Sequence, residues 1–334
     1  MKTISRFSII IWYGISLLVY ASVLVSPAFF KFSGLISLVI PVILILNLIW
    51  FIGLVFSQLK KSIYPLILLL IGVPFLKSTL TYHVFDTPEK HIKVLSYNMM
   101  RMNKGGGKKG ETTMLDWLKS DNSDIRCYQE FFGTKDVIKE ISNNGEYNSF
   151  VGGYGNSFAI FSKYKIINTG VLYESSTTNN ILFADLKVGK DTLRVYNVHL
   201  QSMSINPDKE LNQDAFDKNY ESVRKKFEIG SAKRATQVED LLKHISQCNY
   251  PVLVVGDFND IPYSYTYTKL SRNFGNAFEE AGRGFGFTYN GKIPFLRIDH
   301  HFFSDELNVH SFETLNQIDF SDHFPVVGIY SISN

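Results

Sequence analysis

The chain has 334 residues, 45% of them hydrophobic, with 34 basic and 31 acidic side chains and a formal net charge of +3. The excess sits at the N-terminus: residues 1–89 hold six basic and two acidic residues, which leaves 28 basic and 29 acidic ones in 90–334. A near-neutral C-terminal part lacks the basic surface excess of a dedicated DNA binder.

Three apolar stretches come first, at about 7–30, 33–57 and 62–82, and only the third contains a charge, Lys77. A bilayer needs ~20 apolar residues per helix, so three transmembrane helices are expected over residues 1–83. The first run exceeds the ~7–15 residues of a signal-peptide core, and two more follow it. Lys2 and Arg6 precede the first span, Lys31 alone separates the first two, and Lys60 and Lys61 separate the last two. The positive-inside rule then places the N-terminus and the Lys60-Lys61 turn in the cytoplasm. Three crossings leave everything after about residue 83 on the extracytoplasmic face.

Residues 84–91 read as a short polar linker, and 92–334 are enough for one domain with a large core. Strands are expected at 92–98, 125–129, 158–162, 181–188, 192–199, 252–257, 297–304 and 325–331, and helices at 112–119, 135–141, 232–246 and 265–270. Strands outnumber helices and many connections are short, which suggests an α+β fold with sheets at the centre and helices outside. The loop 103–110 carries Gly105-Gly106-Gly107 and lysines. It is not followed by the Lys-Ser/Thr of a phosphate-binding loop, so a solvated loop is the plainer reading. The segment 203–230 reads either as a substrate-facing flap or as a solvated helix. Cys127 and Cys248 flank expected core strands and are read as buried free thiols.

Six polar clusters fall at strand ends: Ser96-Tyr97-Asn98, Tyr128-Gln129-Glu130, Asn197-Val198-His199, Gly256-Asp257-Phe258-Asn259, Arg297-Ile298-Asp299-His300 and Ser321-Asp322-His323. The fourth follows the apolar run 251–255, a buried strand delivering an acid and an amide to a sheet edge. Residues two apart on a strand point the same way, so Asp257 and Asn259 can face one phosphate. Carboxylates, amides and imidazoles converging on one edge suit a hard divalent cation and a phosphate ester.

These motifs, in this order over roughly residues 91–331, resemble the endonuclease/exonuclease/phosphatase superfamily, which shares the deoxyribonuclease-I-like fold. The strand Gly155-Asn156-Ser157-Phe158-Ala159-Ile160-Phe161-Ser162-Lys163 adds to the likeness. The apolar helices, with the segments 260–267 and 286–289, resemble a bacterial membrane-anchored branch. The resemblance implies a four-layer α/β/β/α sandwich and Mg²⁺-dependent phosphoesterase chemistry, with Mn²⁺ as a substitute. It assigns Asn98, Glu130 and Asp322 to the metal side. Asp257 would position or deprotonate the attacking water, Asn259 would bind the phosphate, and His199 would contact it. His323 would touch the scissile phosphate or move a proton, oriented by Asp299.

Phe324, His300 and Asn276 depart from the residues common in the family at those places, which leaves substrate contacts open. The substrate could be nucleic acid, a phospholipid headgroup in a sphingomyelinase-like reaction, or an inositol phosphate. The remaining partner is the bilayer, with no protein partner evident. A non-catalytic binding or scaffold protein on the same fold is the alternative class. His244, His301 and His310 match no motif and are read as structural or surface residues.

Overall fold

A computed structural model describes residues 6–102, 113–174, 177–205, 210 and 216–333. The glycine-rich loop at 103–110 lies outside the described residues. The apolar N-terminus forms helices at Arg6–Ala21, Ile40–Ser57, Ile63–Ile71 and Val73–Lys77, with a short turn of helix at Ser33–Ser37. Two segments, Phe7–Leu24 and Ser33–Ser57, are long and apolar enough to cross a membrane. The third run does not form one long helix, because it is divided at Gly72 and ends in a β-ribbon. In that ribbon β1 (Thr81–Tyr82) pairs antiparallel with β11 (Arg283–Gly284). Residues 84–91 contain no helix or strand.

The C-terminal part carries β2 (Ile92–Asn98), β3 (Ile125–Gln129), β4 (Asn148–Gly152), β5 (Phe158–Ser162), β6 (Lys165–Val171), β7 (Asn180–Val188) and β8 (Asp191–His199). After a long helix come β9 (Val252–Asp257), β10 (Gly275–Asn276), β12 (Asp299–Phe303), β13 (Leu307–Thr314) and β14 (Val326–Ile332). Two six-stranded sheets result, ordered β13-β14-β2-β3-β5-β4 and β10-β12-β9-β8-β7-β6. The pairs β2–β3 and β8–β9 are parallel and the others antiparallel. All of β3, β5 and β9 is buried, as expected of strands covered on both faces.

The sheets pack face to face through Val94, Ile125, Cys127 and Ile160 on one side and Val195, Leu253 and Val255 on the other. Helices Met114–Ser120 and Lys135–Ile141 flank the first sheet, where Leu118 and Ile141 pack under Tyr128 and Phe161. Helix Phe216–Ile245 and helix Tyr265–Ser271 flank the second, where Val238, Leu241 and Leu270 meet Tyr196 and Val254. The expected four layers are therefore present. Both cysteines are free; Cys127 is buried in the inter-sheet core as expected, whereas Cys248, expected to be buried, is only half-buried.

Two further expectations change. The long helix was expected only from 232, but it starts at Phe216 and takes in the second half of the undecided segment 203–230. Gly230 and the charged stretch before it hide the apolar period. Tertiary contact stabilises this part: Phe227 and Ser231 pack against Gly34 of the apolar N-terminus, and Lys31 pairs with Glu228 at 3.7 Å. Strands β4, β6 and β13 were not expected. β4 and β6 are sheet edges with no buried residue and with apolar and polar residues mixed, so little apolar alternation marks them.

Candidate active site

Strand direction places the chemistry. Parallel pairing puts Asn98 beside Gln129 and His199 beside Asp257, so four strands end at one edge. Antiparallel β12 begins there, with Asp299 opposite Asp257. Gly256 lets β9 and β8 approach closely: at its φ of +137° a Cβ would lie 2.1 Å from the Val198 carbonyl oxygen. Only glycine fits, which is the backbone reason for the Gly in Gly-Asp-Phe-Asn.

Asp257 is the hub. Its Oδ2 accepts from Asn98 Nδ2 at 2.9 Å and Asn259 Nδ2 at 3.2 Å, and its Oδ1 accepts from the Asn259 backbone N–H at 2.7 Å. His199 Nε2 and His323 Nε2 lie 3.6 and 3.7 Å from the same Oδ2. His199 donates its other ring nitrogen to the Thr178 carbonyl at 3.0 Å, which turns Nε2 toward Asp257 and Glu130, the latter at 3.8 Å. Glu130 follows β3 at φ +48° and is about a quarter exposed, the most open of these acids apart from Asp322.

His323 Nδ1 sits 2.9 Å from Asp299 Oδ2. Burial opposes the charged imidazolium, but the Asp299, Asp257 and Asp322 carboxylates outweigh it and push the His323 pKa up to about 10. Asp299 is held in turn: Thr288 Oγ1 accepts from its backbone N–H and that of Ile298, both at 3.1 Å. The loop bearing His323 is anchored by Ser321, whose hydroxyl donates to the Asn98 carbonyl at 2.8 Å.

Seven of the eight expected residues, Asn98, Glu130, His199, Asp257, Asn259, Asp322 and His323, line one cavity of about 450 Å³. Asp299 lies behind His323, buried. The donor set fits a divalent cation of the hard class. Glu130 and Asp322 offer accessible carboxylates at the cavity wall, and oxygen donors are what such a cation takes. Asp257, Asp299 and His323 also bring one ligand atom each within 4.8 Å of one another, and the His323–Asp299 hydrogen bond joins two of these three residues.

Three supporting groups have roles that the sequence did not reveal. Below the site, Gln129 donates to Asn197 at 2.7 Å, and Asn197 donates to the Tyr128 and Ala159 carbonyls at 2.9 and 3.0 Å, pinning one sheet to the other. Tyr289 bridges to the His323 backbone and sets its ring edge-on at 5.4 Å. Arg234 pairs with Asp260 at 3.1 Å, both buried. Gln129 and Asn197 sit inside strand-end motifs, the one hint the sequence offered, whereas Arg234 lies within helix Phe216–Ile245 and carried no such signal.

Two of the departures, Asn276 and His300, are structural. Asn276 caps helix Ala277–Ala281 by accepting from two backbone N–H groups. Burial pushes the His300 and His301 pKa values down to about 3, so both are neutral packing residues. His244 and His310 hydrogen-bond Tyr196 and Ser331.

Residues 95–323 match the family model described as Endonuclease/Exonuclease/phosphatase family. The chain belongs to this family. Endonucleases, exonucleases and phosphatases hydrolyse phosphate esters, so this member is a hydrolase of that class. Residues 2–79 match a second model, a domain of unknown function (DUF8431). No curated protein matches. Among solved structures, an endonuclease/exonuclease/phosphatase from Bacteroides vulgatus aligns at 16% identity and TM-score 0.52, over 73% of this chain and all of that one. The human Nocturnin catalytic domain with bound sulfate aligns at 18% and 0.51, over 74% and 96%. D. rerio TDP2 complexed with a single-strand DNA product aligns at 15% and 0.51, over 73% and 100%. At these identities the likeness concerns the fold.

Proposed function

We propose that the protein is a membrane-anchored, divalent-metal-dependent phosphoesterase whose catalytic domain faces away from the cytoplasm. The observation that carries the chemistry is the meeting of Asn98, Glu130, His199, Asp257, Asn259 and His323 around one cavity. Asp257 orients a water and takes its proton as the water oxygen bonds to phosphorus. The P–O bond to the leaving group breaks, and its electron pair stays on that oxygen. The His323 imidazolium donates toward the charge that develops there, while Asn259 and His199 hold phosphoryl oxygens. Asp299 keeps the His323 ring oriented and charged. Mg²⁺ held by Glu130, Asn98 and Asp322, or Mn²⁺ in its place, would supply Lewis-acid polarisation of the phosphoryl group.

Membrane anchoring rests on a reversal of the usual polarity. In the N-terminal helices Ser16 and Asn47 are fully buried, and Asn47 joins Trp12 and Tyr20 by hydrogen bonds. Outward lie Ile10, Leu18, Ile49 and Phe56, each more than 60% exposed. Polar groups inside and bare hydrocarbon outside is the arrangement a bilayer favours. In this reading the short helices of 62–82 complete the anchor.

Purified full-length protein should hydrolyse bis(p-nitrophenyl) phosphate with Mg²⁺ and lose that activity with a chelator. Wild-type activity in His323→Ala, or indifference to chelation, would sink this reading. Protease accessibility of the catalytic domain in sealed cells tests the orientation.

A further inference from the structure

The catalytic cavity has both polar and apolar lining residues. Besides its polar groups it is lined by Ile261, Ile293, Leu296 and Ile298, and by Leu38 from the turn between helix Ser33–Ser37 and helix Ile40–Ser57. A second hollow of about 270 Å³ shares Leu38, Ile261 and Leu296 and continues to Pro41, Phe287 and Phe295. Pro41 lies in helix Ile40–Ser57, so the two hollows join the reacting centre to a candidate membrane span. The lining of the second is mostly apolar; its polar members are Ser78, Thr79 and a buried Arg297 bonded to the Phe285 and Ser78 carbonyls.

The far end of this trough is an exposed aromatic cluster. Phe285 and Phe287 stack at 5.3 Å, and Phe295 lies 5.4 Å from Phe287. Phe295 is 73% exposed and held at φ +66°, a backbone state that bulky residues avoid. Adjoining exposed rings beside apolar helices form a patch that needs an apolar medium or ligand against it.

Charge points the same way. Among the described residues, no Lys or Arg lines the catalytic cavity. A nucleic-acid strand brings a charge at every nucleotide and is held by cations and stacking platforms. A lipid ester brings one phosphate followed by hydrocarbon, which matches a cavity of polar site groups and apolar side chains that adjoins a mostly apolar hollow.

We propose that the substrate is a lipid phosphate ester whose hydrocarbon chain lies in this trough, drawn from the membrane in which the protein is anchored. The proposal rests on the phosphoesterase reading above and adds the substrate class. It is tested with full-length protein in lipid nanodiscs with Mg²⁺, reading hydrolysis of bis(p-nitrophenyl) phosphate and its inhibition by butyl, hexyl and octyl phosphate. The inhibition constant should fall at least about ten-fold from butyl to octyl, since each buried methylene is worth up to about four-fold. Partition into the bilayer would produce a similar trend, so Leu38→Asn and Ile293→Asn are compared in the same nanodiscs. In each folded variant the gain should shrink below about three-fold. A flat series in the wild type, or an undiminished gain in the variants, overturns the lipid assignment, as does a single-stranded oligonucleotide that inhibits more strongly than octyl phosphate. Failure to hydrolyse bis(p-nitrophenyl) phosphate at all would overturn the phosphoesterase reading instead.

Discussion

His323 and Asp299 form a buried hydrogen-bonded pair, Nδ1 to Oδ2 at 2.9 Å, in which the carboxylate lies behind the ring and the ring's other nitrogen points at Asp257. An imidazole held between two carboxylates keeps its proton well above its ordinary range, up to about pH 10.

A pH profile follows from that proton. Activity that needs the His323 imidazolium should hold through neutrality and fall on an alkaline limb toward about pH 10. In Asp299→Asn the limb should move down by about 1–3 units, because one opposing charge is gone. Stability carries the same sign. The folded pKa is raised above 6.5, so the contribution is complete below that value and is lost as pH rises through about 10. Melting curves of wild type and His323→Gln should converge across that window. An unmoved limb in Asp299→Asn would show that the carboxylate does not control the proton.

Gly256→Ala should be among the most damaging small substitutions. A Cβ would lie 2.1 Å from the Val198 carbonyl oxygen at a φ that L-residues avoid. Backbone strain and overpacking together give about 3 kcal/mol or more, measurable by denaturant unfolding. The same substitution should lower activity, because β9 cannot shift without moving Asp257 away from His199.

Asn197 tests the link between the sheets. Its amide donates to the Tyr128 and Ala159 carbonyls while its carbonyl accepts from Gln129. Asn197→Ala should cost about 2–3 kcal/mol through buried groups left unpaired. Asn197→Asp should cost more, since a carboxylate has nothing to donate to two carbonyl oxygens. Equal unfolding midpoints for the two variants would argue against this pairing scheme.

Glu130→Gln separates metal binding from folding. The side chain is about a quarter exposed and carries no structural hydrogen bond of its own among the described residues. Its loss should leave the melting temperature within a few degrees. Mg²⁺ binding by calorimetry should weaken at least about ten-fold, and kcat should fall by at least about a hundred-fold. Undiminished Mg²⁺ binding would move the metal site to other carboxylates.

Much of this arrangement was legible along the chain. The β9 run is buried on both faces, so its apolar character is continuous and easy to see, and it ends abruptly at Asp257. β2 is almost as buried and β3 as fully, although Lys93 and Arg126 interrupt their apolar runs, and Asn98 and Glu130 stood out as the polar groups where those runs stop. Edge strand β6 has no such signal, because most of it is exposed and tolerates Lys165, Asn168 and Thr169. The first half of helix Phe216–Ile245 was hidden because its partner, Gly34, lies nearly two hundred residues away.

By itself the sequence determined which groups are present and in what order they close their strands, because burial period and strand-end polarity are local properties. Only the tertiary structure decided that they meet. Parallel pairing of β8 with β9 and antiparallel pairing of β12 with β9 bring His199, Asp257 and Asp299 into one register, and no local preference encodes strand partners. It also placed Leu38 of the apolar N-terminus in the wall of the catalytic cavity. That contact depends on how two distant segments pack, and hydropathy along a chain carries no information about which apolar surfaces will face each other.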